Sequence, residues 1–378
     1  MIVLISHDGT LTGAPICLAR LAGEMAADGS GRDLVLGTPR GGRLEAHPAL
    51  AGVDTFRYLP RWGPGKKRVA GPGVRARLRR VYRRLGATAV IANTLESFQA
   101  VMAAADEGIP SVWMVHEFAE NYRARREWGA IREAASAASC LVFNSDASRK
   151  QVSALGEGLE SKACRVYPGI DPGLFPARSR PSPGPGFRIG CVGDICPAKN
   201  QLGLIELLAP LLREFPEAGL HLIGRVPAAF AAYGKEVEHR IGRLDAPAKV
   251  VLEGEKTDAP ALIADLDLLI NAAPHESFGL AVLEAMAAGV PVVAVDGGGP
   301  GELLGPLGAV VPPGDGPALQ NAVSRAVAAS AGERRMWAQA ARARIEERFL
   351  LRDYAGNMLE ILTRLTAAER RPRGGPDG

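Results

Sequence analysis

Leu268-Leu-Ile-Asn-Ala-Ala-Pro-His-Glu-Ser-Phe-Gly-Leu-Ala-Val-Leu-Glu-Ala-Met-Ala-Ala-Gly289, continued by Val290-Pro-Val-Val-Ala-Val295, compresses a strand, a turn, a helix and a second strand into one segment. Leu268–Asn271 has strand length, Pro274 and Gly279 punctuate a turn, Leu280–Ala288 is rich in helix formers, and Pro291–Val295 is again a strand. A β–α–β unit of this kind makes parallel neighbours in a sheet covered by helices. The turn presents Glu276, and a helix beginning near Gly279 leaves its first amide N–H groups without acceptors at the carboxyl edge of the sheet, which makes an anion seat. Glu276 and Glu284 are eight residues apart, and on one helix they would sit about 80° apart. They fit better as one carboxylate in the turn and one on the second helical turn. Carboxylates only accept hydrogen bonds, so such a pair suits neighbouring sugar hydroxyls, with a phosphate on the helix N-terminus between them. The plainer alternative is one glutamate favouring the helix dipole and one solvated further along.

The same alternation extends in both directions. Upstream it reads Ile2–Ser6 then Ala14–Gly29, Thr88–Asn93 then Glu96–Glu107, Ser111–Val115 then Ala119–Ala138, and Leu141–Asn144 then Asp146–Leu155. Four prolines and two glycines in Pro176–Gly186 stop the pattern. It restarts with Phe187–Val192, a helix from about Gln201 to Phe215, Leu220–Ile223, Lys249–Leu252, the quoted segment and Gly308–Val311. Helices follow at about Gly316–Ala329, Glu333–Phe349 and Asp353–Ala367. The expectation is an α/β chain of two Rossmann-like, doubly wound parallel-sheet domains facing a central cleft, with ligands outside the carboxyl ends of the strands. The domains run 1–175 and 187–349, joined by a linker at 176–186. A helix at 350–367 packs back toward the first domain, and 368–378 form a disordered tail.

Composition narrows the function classes. The chain has 378 residues, 47% hydrophobic and 23% charged, so it is neither a single small module nor a disordered chain. Forty-five Lys and Arg against 41 Asp and Glu give a net charge of +4, too little to demand a polyanion over this length. Met1–Ser6 reads as a first strand rather than a signal peptide, and no apolar stretch reaches the ~18 residues of a membrane span. Five scattered cysteines without a C-x-x-C pair read as buried reduced thiols. Together these point to a cytoplasmic protein, with peripheral contact at the inner face of a membrane as an option.

His275-Glu276-Ser-Phe-Gly279 through Glu284-Ala-Met-Ala-Ala-Gly289, with Pro291-Val-Val and Gly298-Gly-Pro-Gly-Glu302, resembles the donor-site signature of retaining glycosyltransferases of family four. The resemblance implies the GT-B fold and transfer of a sugar from a nucleotide-sugar donor, with retained configuration, no catalytic metal and no cofactor beyond the donor. It implies that Glu276 binds donor-sugar hydroxyls, that Ser277, Phe278, Gly279 and Leu280 line the sugar and phosphate, and that Glu284 holds the ribose. Val192-Gly-Asp-Ile-Cys-Pro-Ala-Lys-Asn-Gln201 resembles the family's element in which an Arg and a Lys five residues apart neutralise the diphosphate. Lys199 is present, but Asp194 stands at the Arg position. A carboxylate ~4 Å from a phosphate costs on the order of 4 kcal/mol at an effective dielectric of 20. Asp194 must therefore point away or be offset, and Arg225 is the candidate cation, unless it is a solvated loop arginine. In the first half, Ser6-His-Asp-Gly-Thr-Leu-Thr-Gly-Ala-Pro15 resembles the acceptor-side loop, placing Gly13 and Ala14 near the donor phosphate, and Val115-His116-Glu117 resembles the element that turns a His toward the donor sugar. Taken by itself, His116 reads equally as a hydrogen-bonded structural residue. Glu276, Lys199 and His116 are the catalytic candidates.

Asp265-Leu-Asp267 has the D-x-D spacing of metal-dependent enzymes of another fold but falls where a helix meets a buried strand, and reads as a turn without metal. From Arg57 to Arg84 there are eleven basic residues and no acidic one, with Tyr58, Trp62 and Tyr82 interleaved. This stretch fits an anionic membrane surface or an acidic acceptor, or else a solvated face, and no nucleic-acid motif accompanies it. The functional expectation is a glycosyltransferase acting on a saccharide, lipid-linked or small-molecule acceptor. The alternatives are a non-catalytic two-lobed sugar-binding protein or another GT-B-like enzyme, a phosphorylase or epimerase.

Overall fold

The computed structural model describes residues 1–28, 33–59, 73–175, 186–246, 249–256 and 259–370. The linker expected at 176–186 lies outside them except for Gly186, as do Trp62, Lys66, Lys67 and Arg68 of the basic stretch. The chain divides into two compact units, Met1–Gly169 with Leu351–Gly378, and Ile170–Leu350.

The first unit is built on β1 (Ile2–Ile5), α1 (Gly13–Ala27), β2 (Leu34–Thr38), β3 (Asp54–Arg57), α2 (Val74–Leu85), β4 (Ala89–Asn93), α3 (Phe98–Asp106), β5 (Ser111–Val115), α4 (Trp128–Ala137), β6 (Cys140–Phe143), the single turns α5 (Asp146–Arg149) and α6 (Val152–Leu155), and β7 (Ala163–Arg165). Its strands are parallel, in the order β3-β2-β1-β4-β5-β6-β7. The two-residue period of a strand sorts its side chains onto two buried faces. Val3, Ile5, Val90, Ala92, Trp113 and Val115 pack beneath α2, α3 and α4, whereas Ile2, Leu4, Ala89, Ile91, Val112 and Met114 pack beneath α1.

The second unit comprises β8 (Phe187–Val192), α7 (Gln201–Glu214), β9 (Ala218–Ile223), α8 (Ala231–Gly242), β10 (Val250–Gly254), α9 (Ala259–Ala264), β11 (Leu268–Asn271), α10 (Leu280–Ala288), β12 (Val292–Val295), α11 (Gly299–Leu304), β13 (Ala309–Val311), α12 (Gly316–Ala328) and α13 (Ala331–Arg348). Its parallel order is β10-β9-β8-β11-β12-β13. The chain then returns to the first unit. Helix α14 (Leu351–Arg370) lays Leu351, Tyr354, Met358, Ile361 and Leu362 on the face carrying α1, and it continues past the end expected at Ala367.

Two expected helices are broken. In place of one helix over Ala119–Ala138 there is a 3-10 turn at Ala119–Tyr122, whose Tyr122 hydroxyl donates to Glu117 Oε1 (3.3 Å), and then α4. Asp146–Leu155 is two single turns rather than one helix; Ser145 caps the first by accepting from the Ser148 amide. The sequence reading also passed over β2, a short apolar run, and β3 and α2, whose charged outer residues hide their period. Three of the α2 arginines are not free charge: Arg75 pairs with Asp106, and Arg79 and Arg83 with Glu107, at the end of α3.

In each sheet the chain reverses direction once, between β1 and β4 and between β8 and β11. Such reversals open crevices at the carboxyl ends of the strands.

Candidate functional site

In the second unit the β8/β11 reversal is flanked by the loop after β8 and the turn after β11. A 3-10 turn at Pro197–Lys199 and Asn200 in the left-handed conformation (φ 55°) bring the first loop round to α7. Buried Gln201 ties that loop together, donating to the Asp194 carbonyl (2.9 Å) and accepting from the Cys196 amide (3.3 Å). Lys199 emerges beside the reversal and its Nζ pairs with Glu276 Oε2. Burial pulls the Lys199 ammonium down, but the Glu276 carboxylate more than offsets this and leaves its pKa above the usual lysine value. Asn271, the last residue of β11, orders the turn: its Oδ1 accepts from the Ala273 amide (3.1 Å) and its Nδ2 points at Glu276 Oε2 (3.5 Å).

The backbone around Glu276 is held from both sides. Its amide donates to the Gly297 carbonyl (3.0 Å), and its carbonyl accepts from the Gly299 amide (2.8 Å). A Cβ at Gly299 would fall 2.3 Å from Phe278 Cα, so only glycine lets the start of α11 lie on the Ser277–Phe278 backbone. Gly279 takes a left-handed conformation (φ 99°) to open α10. The amides of Leu280, Ala281 and Val282 therefore have no acceptor within the helix. Phe278 is buried, Ser277 and Leu280 are half-buried, and Glu284 is buried on the second turn of α10. The structure thus gathers Lys199, Glu276, Ser277, Phe278, Gly279 and Leu280 at one sheet edge.

Asp194 and Arg225 form a pair of their own, Arg225 Nε to Asp194 Oδ1 at 3.0 Å. Their loops are pressed together at Gly224, where a Cβ would meet the Gly193 carbonyl oxygen at 1.8 Å. Arg225 therefore offsets Asp194. Its side chain is half-exposed. Asp265 and Asp267 both serve Arg188 at the start of β8: Asp267 Oδ2 accepts from the Arg188 amide (2.9 Å), and Asp265 pairs with its guanidinium (3.3 Å). Among the described residues, no three His, Cys, Asp or Glu side chains gather in a way that could hold a metal ion. No helix among them is long and apolar enough to cross a membrane.

In the first unit the β1/β4 reversal is flanked by the Ser6–Thr12 loop and by Asn93. Gly13 and Ala14 open α1, with Gly13 exposed. His116 follows β5. Burial first, and the neighbouring His7 second, hold its pKa down at about 3, so its ring is neutral at neutral pH.

Sequence reasoning missed three residues here. Asn93, fully buried, reaches across the reversal and donates from Nδ2 to the Ala14 carbonyl (3.0 Å), while its Oδ1 has no hydrogen-bond partner among the described residues. Thr94 sits at φ 73°, a strained position for a β-branched residue. It is held there by its amide to the Met114 carbonyl (2.8 Å) and by Trp113 Nε1 to its own carbonyl (2.7 Å). Glu117 Oε2 accepts from the amides of Leu95 (3.2 Å) and His116 (3.1 Å), and its Oε1 from the Tyr122 hydroxyl (3.3 Å). Burial raises its carboxyl to about 7. One signal was available: both strands that follow a reversal, Ala89–Asn93 and Leu268–Asn271, end an apolar run on asparagine.

Two Rossmann-like parallel sheets of seven and six strands make the GT-B architecture, and the chain belongs to the family 4, group 1 glycosyltransferases. The family model described as "Glycosyltransferase Family 4" matches residues 11–174, and that described as "Glycosyl transferases group 1" matches 186–329. Among curated relatives, the lipopolysaccharide core biosynthesis mannosyltransferase LpsB of Rhizobium meliloti is 34% identical over 116 residues, 31% of this chain and 33% of that protein. Glycogen synthase of Mycobacterium tuberculosis is 28% identical over 273 residues, 71% of this chain and 64% of that one. The chain thus spans about a third of the length of the first relative and under two thirds of the second. Among solved structures, Anabaena Alr3699/HepE in complex with UDP and glucose superposes with a TM-score of 0.82 at 24% identity, covering 96% of this chain and 99% of that one. Sucrose-phosphate synthase from Thermosynechococcus elongatus gives 0.82 at 19%, covering 97% and 99%. These likenesses establish the fold.

Proposed function

We propose that this protein is a retaining glycosyltransferase that moves a sugar from a nucleotide-sugar donor to a saccharide or lipid-linked acceptor, without metal or cofactor. The observation that carries the proposal is the Lys199–Glu276 pair at the β8/β11 reversal, beside the open N-terminus of α10. Breaking the bond between an anomeric carbon and phosphate builds negative charge on the departing diphosphate and positive character on the sugar. The α10 amides and Lys199 stabilise the first. Glu276 accepts from donor-sugar hydroxyls, and Glu284 from the ribose.

The Arg225–Asp194 and Lys199–Glu276 pairs each carry no net charge, so phosphate stabilisation rests on the α10 amides, and on Lys199 once Glu276 turns to the sugar hydroxyls. In the first unit, Gly13 and Ala14 open α1, and neutral His116 donates to or accepts from a hydroxyl. The departing phosphate takes the acceptor's proton. HepE, solved with UDP and with UDP-glucose, makes nucleoside-diphosphate sugars the first donors to try.

The exposed α2 residues Arg77, Arg80 and Arg84 share one helical face, and they supply a peripheral contact with an anionic membrane on its cytoplasmic side. Co-sedimentation with vesicles, with and without anionic lipid, tests that contact.

A thermal-shift series with nucleoside mono- and diphosphates and their sugar conjugates tests the donor. The expected result is a rise in melting temperature with one nucleoside diphosphate and its sugar conjugate. Transfer assays with that donor should then proceed in excess chelator and give product of unchanged anomeric configuration. Indifference to every nucleotide would overturn the reading.

A further inference from the structure

Beyond the sugar-transfer site, we propose that Cys140 and Cys164 form a redox-active dithiol, in which Cys164 reacts with low-molecular-weight disulfides and Cys140 resolves the adduct into an intramolecular disulfide. The two residues are far from any C-x-x-C spacing, and only the pairing of β6 with β7 brings them together. Cys164 stands opposite Val142 in the ladder, so Cys140, two residues before Val142, shares its face of the sheet. Their sulfurs lie 3.7 Å apart. Formation of a bond of ~2.05 Å needs a closure of about 1.7 Å. The strand that must yield is β7, three residues long and at the sheet edge, hydrogen-bonded only to β6.

The two thiols differ in the way a reacting and a resolving sulfur must. Cys140 is buried (9% exposed), in the cluster covered by α1 and α14, while Cys164 is half-buried at its margin. The hydrogen bond from Cys140, and then the charges of Arg364 on α14 and Arg149 on α5, lower Cys164 to about 7, whereas that same bond and burial hold Cys140 up. Lys162, just before β7, donates from Nζ to the Ser136 and Ala138 carbonyls, both at 2.7 Å, and its charge acts on Cys140, where burial and the hydrogen bond outweigh it.

The chemistry balances with one co-reactant, a small disulfide such as oxidised glutathione. The Cys164 thiolate attacks one of its sulfurs, forming a mixed disulfide and expelling one thiolate. Cys140 then gives its proton to solvent and attacks Cys164 Sγ, expelling the second. Two protein thiols are oxidised by two electrons, and the small disulfide is reduced to two thiols.

The test is to expose the full chain to oxidised glutathione, quench in acid, denature, alkylate and map the peptides by mass. The expected product has lost two hydrogens and carries a bond between residues 140 and 164, with Cys17, Cys191 and Cys196 alkylated. Cys140→Ser should stop at glutathione held on Cys164, and Cys164→Ser should form neither product. Alkylation of all five thiols in the oxidised wild type, or a disulfide between any other pair, overturns the proposal. So does glutathione that stays on wild-type Cys164 unresolved. The wild-type map decides the matter even if a serine variant folds poorly.

Discussion

The two sheets reverse direction at equivalent places, and each reversal is bridged by a side chain, but by opposite kinds of chemistry. At β8/β11 the bridge is ionic, Lys199 to Glu276, with a second ion pair, Arg225 to Asp194, close by. At β1/β4 the bridge is neutral, Asn93 to the Ala14 carbonyl, and the groups around it are a neutral imidazole, a strained threonine and a carboxyl titrating at about 7. An ionic bridge beside open helix amides can exchange its partner for a charged ligand at modest net cost, because the charges are already oriented. A neutral bridge between backbone and carboxamide fixes geometry, and the groups beside it are a neutral imidazole and a carboxyl about half ionised at neutral pH. Under the proposed function, one fold used twice would serve a phosphate at one edge and alcohols at the other.

The strongest way to break this contrast is to remove the ionic bridge. Lys199→Ala and Glu276→Ala should each lower kcat for sugar transfer by ~10²–10³, the scale of losing one oriented electrostatic contact. Thermal unfolding should still show a single folded protein. Near-normal turnover in either variant would sink the assignment of that residue.

The neutral bridge should matter less. Asn93→Ala removes the hold on the first turn of α1, and we expect a loss of ~10-fold in kcat/KM together with ~1–3 kcal/mol of stability, the usual cost of stranding a buried polar group. Asn93→Asp keeps the shape but has no donor and should recover neither. If Asn93 served the fold only, urea melts would shift while kcat and KM for the folded fraction stayed as in the wild type.

How much of this the sequence disclosed follows the same line. The segment around Glu276 was legible because chemistry and local structure coincide there: apolar run, proline turn, left-handed Gly279 and helix lie in order along the chain. Leu280–Ala288 begins and ends where its sequence said it would. Asp194 posed a question that local reading could only frame, since its partner Arg225 arrives from another strand, through loops whose approach depends on Gly224. Asn93, Thr94 and Glu117 were not legible, because their roles lie in contacts across neighbouring strands. The missed helix α2 shows the converse: six arginines read as a cationic run, yet three are paired with carboxylates of α3 that lie some thirty residues away.

The neutral edge also has a pH signature, with two groups pulling in opposite directions. Burial raises Glu117 from 4.5 to about 7, so it contributes stability below about 4.5 that is lost as pH rises through 7. Burial and His7 depress His116 from 6.5 to about 3, so it contributes stability above 6.5 that is lost as pH falls toward 3. Between 4.5 and 6.5 the slopes oppose each other. Glu117→Gln should uncover the histidine, its stability relative to wild type falling by about 1 kcal/mol per unit as pH drops through that window. His116→Gln should show the reverse trend. Parallel pH curves for wild type and both variants would mean that neither group is buried as described.

The smallest effect should come from the second ion pair, and it sharpens the contrast rather than breaking it. Asp194 stands one loop away from the anion seat and cancels the charge of Arg225. Asp194→Asn leaves the loop's shape and the Gln201 contact to its backbone intact, while freeing one guanidinium charge beside the place assigned to a diphosphate. A half-exposed charge is worth about 0.5–1 kcal/mol here, so the Kd for a nucleoside diphosphate should fall ~2–5-fold, and the gain should shrink as salt is raised. Weaker binding would instead mean that the pair is needed to hold Arg225 in place. The ionic edge would then be tuned for orientation, as the neutral edge is, rather than for charge.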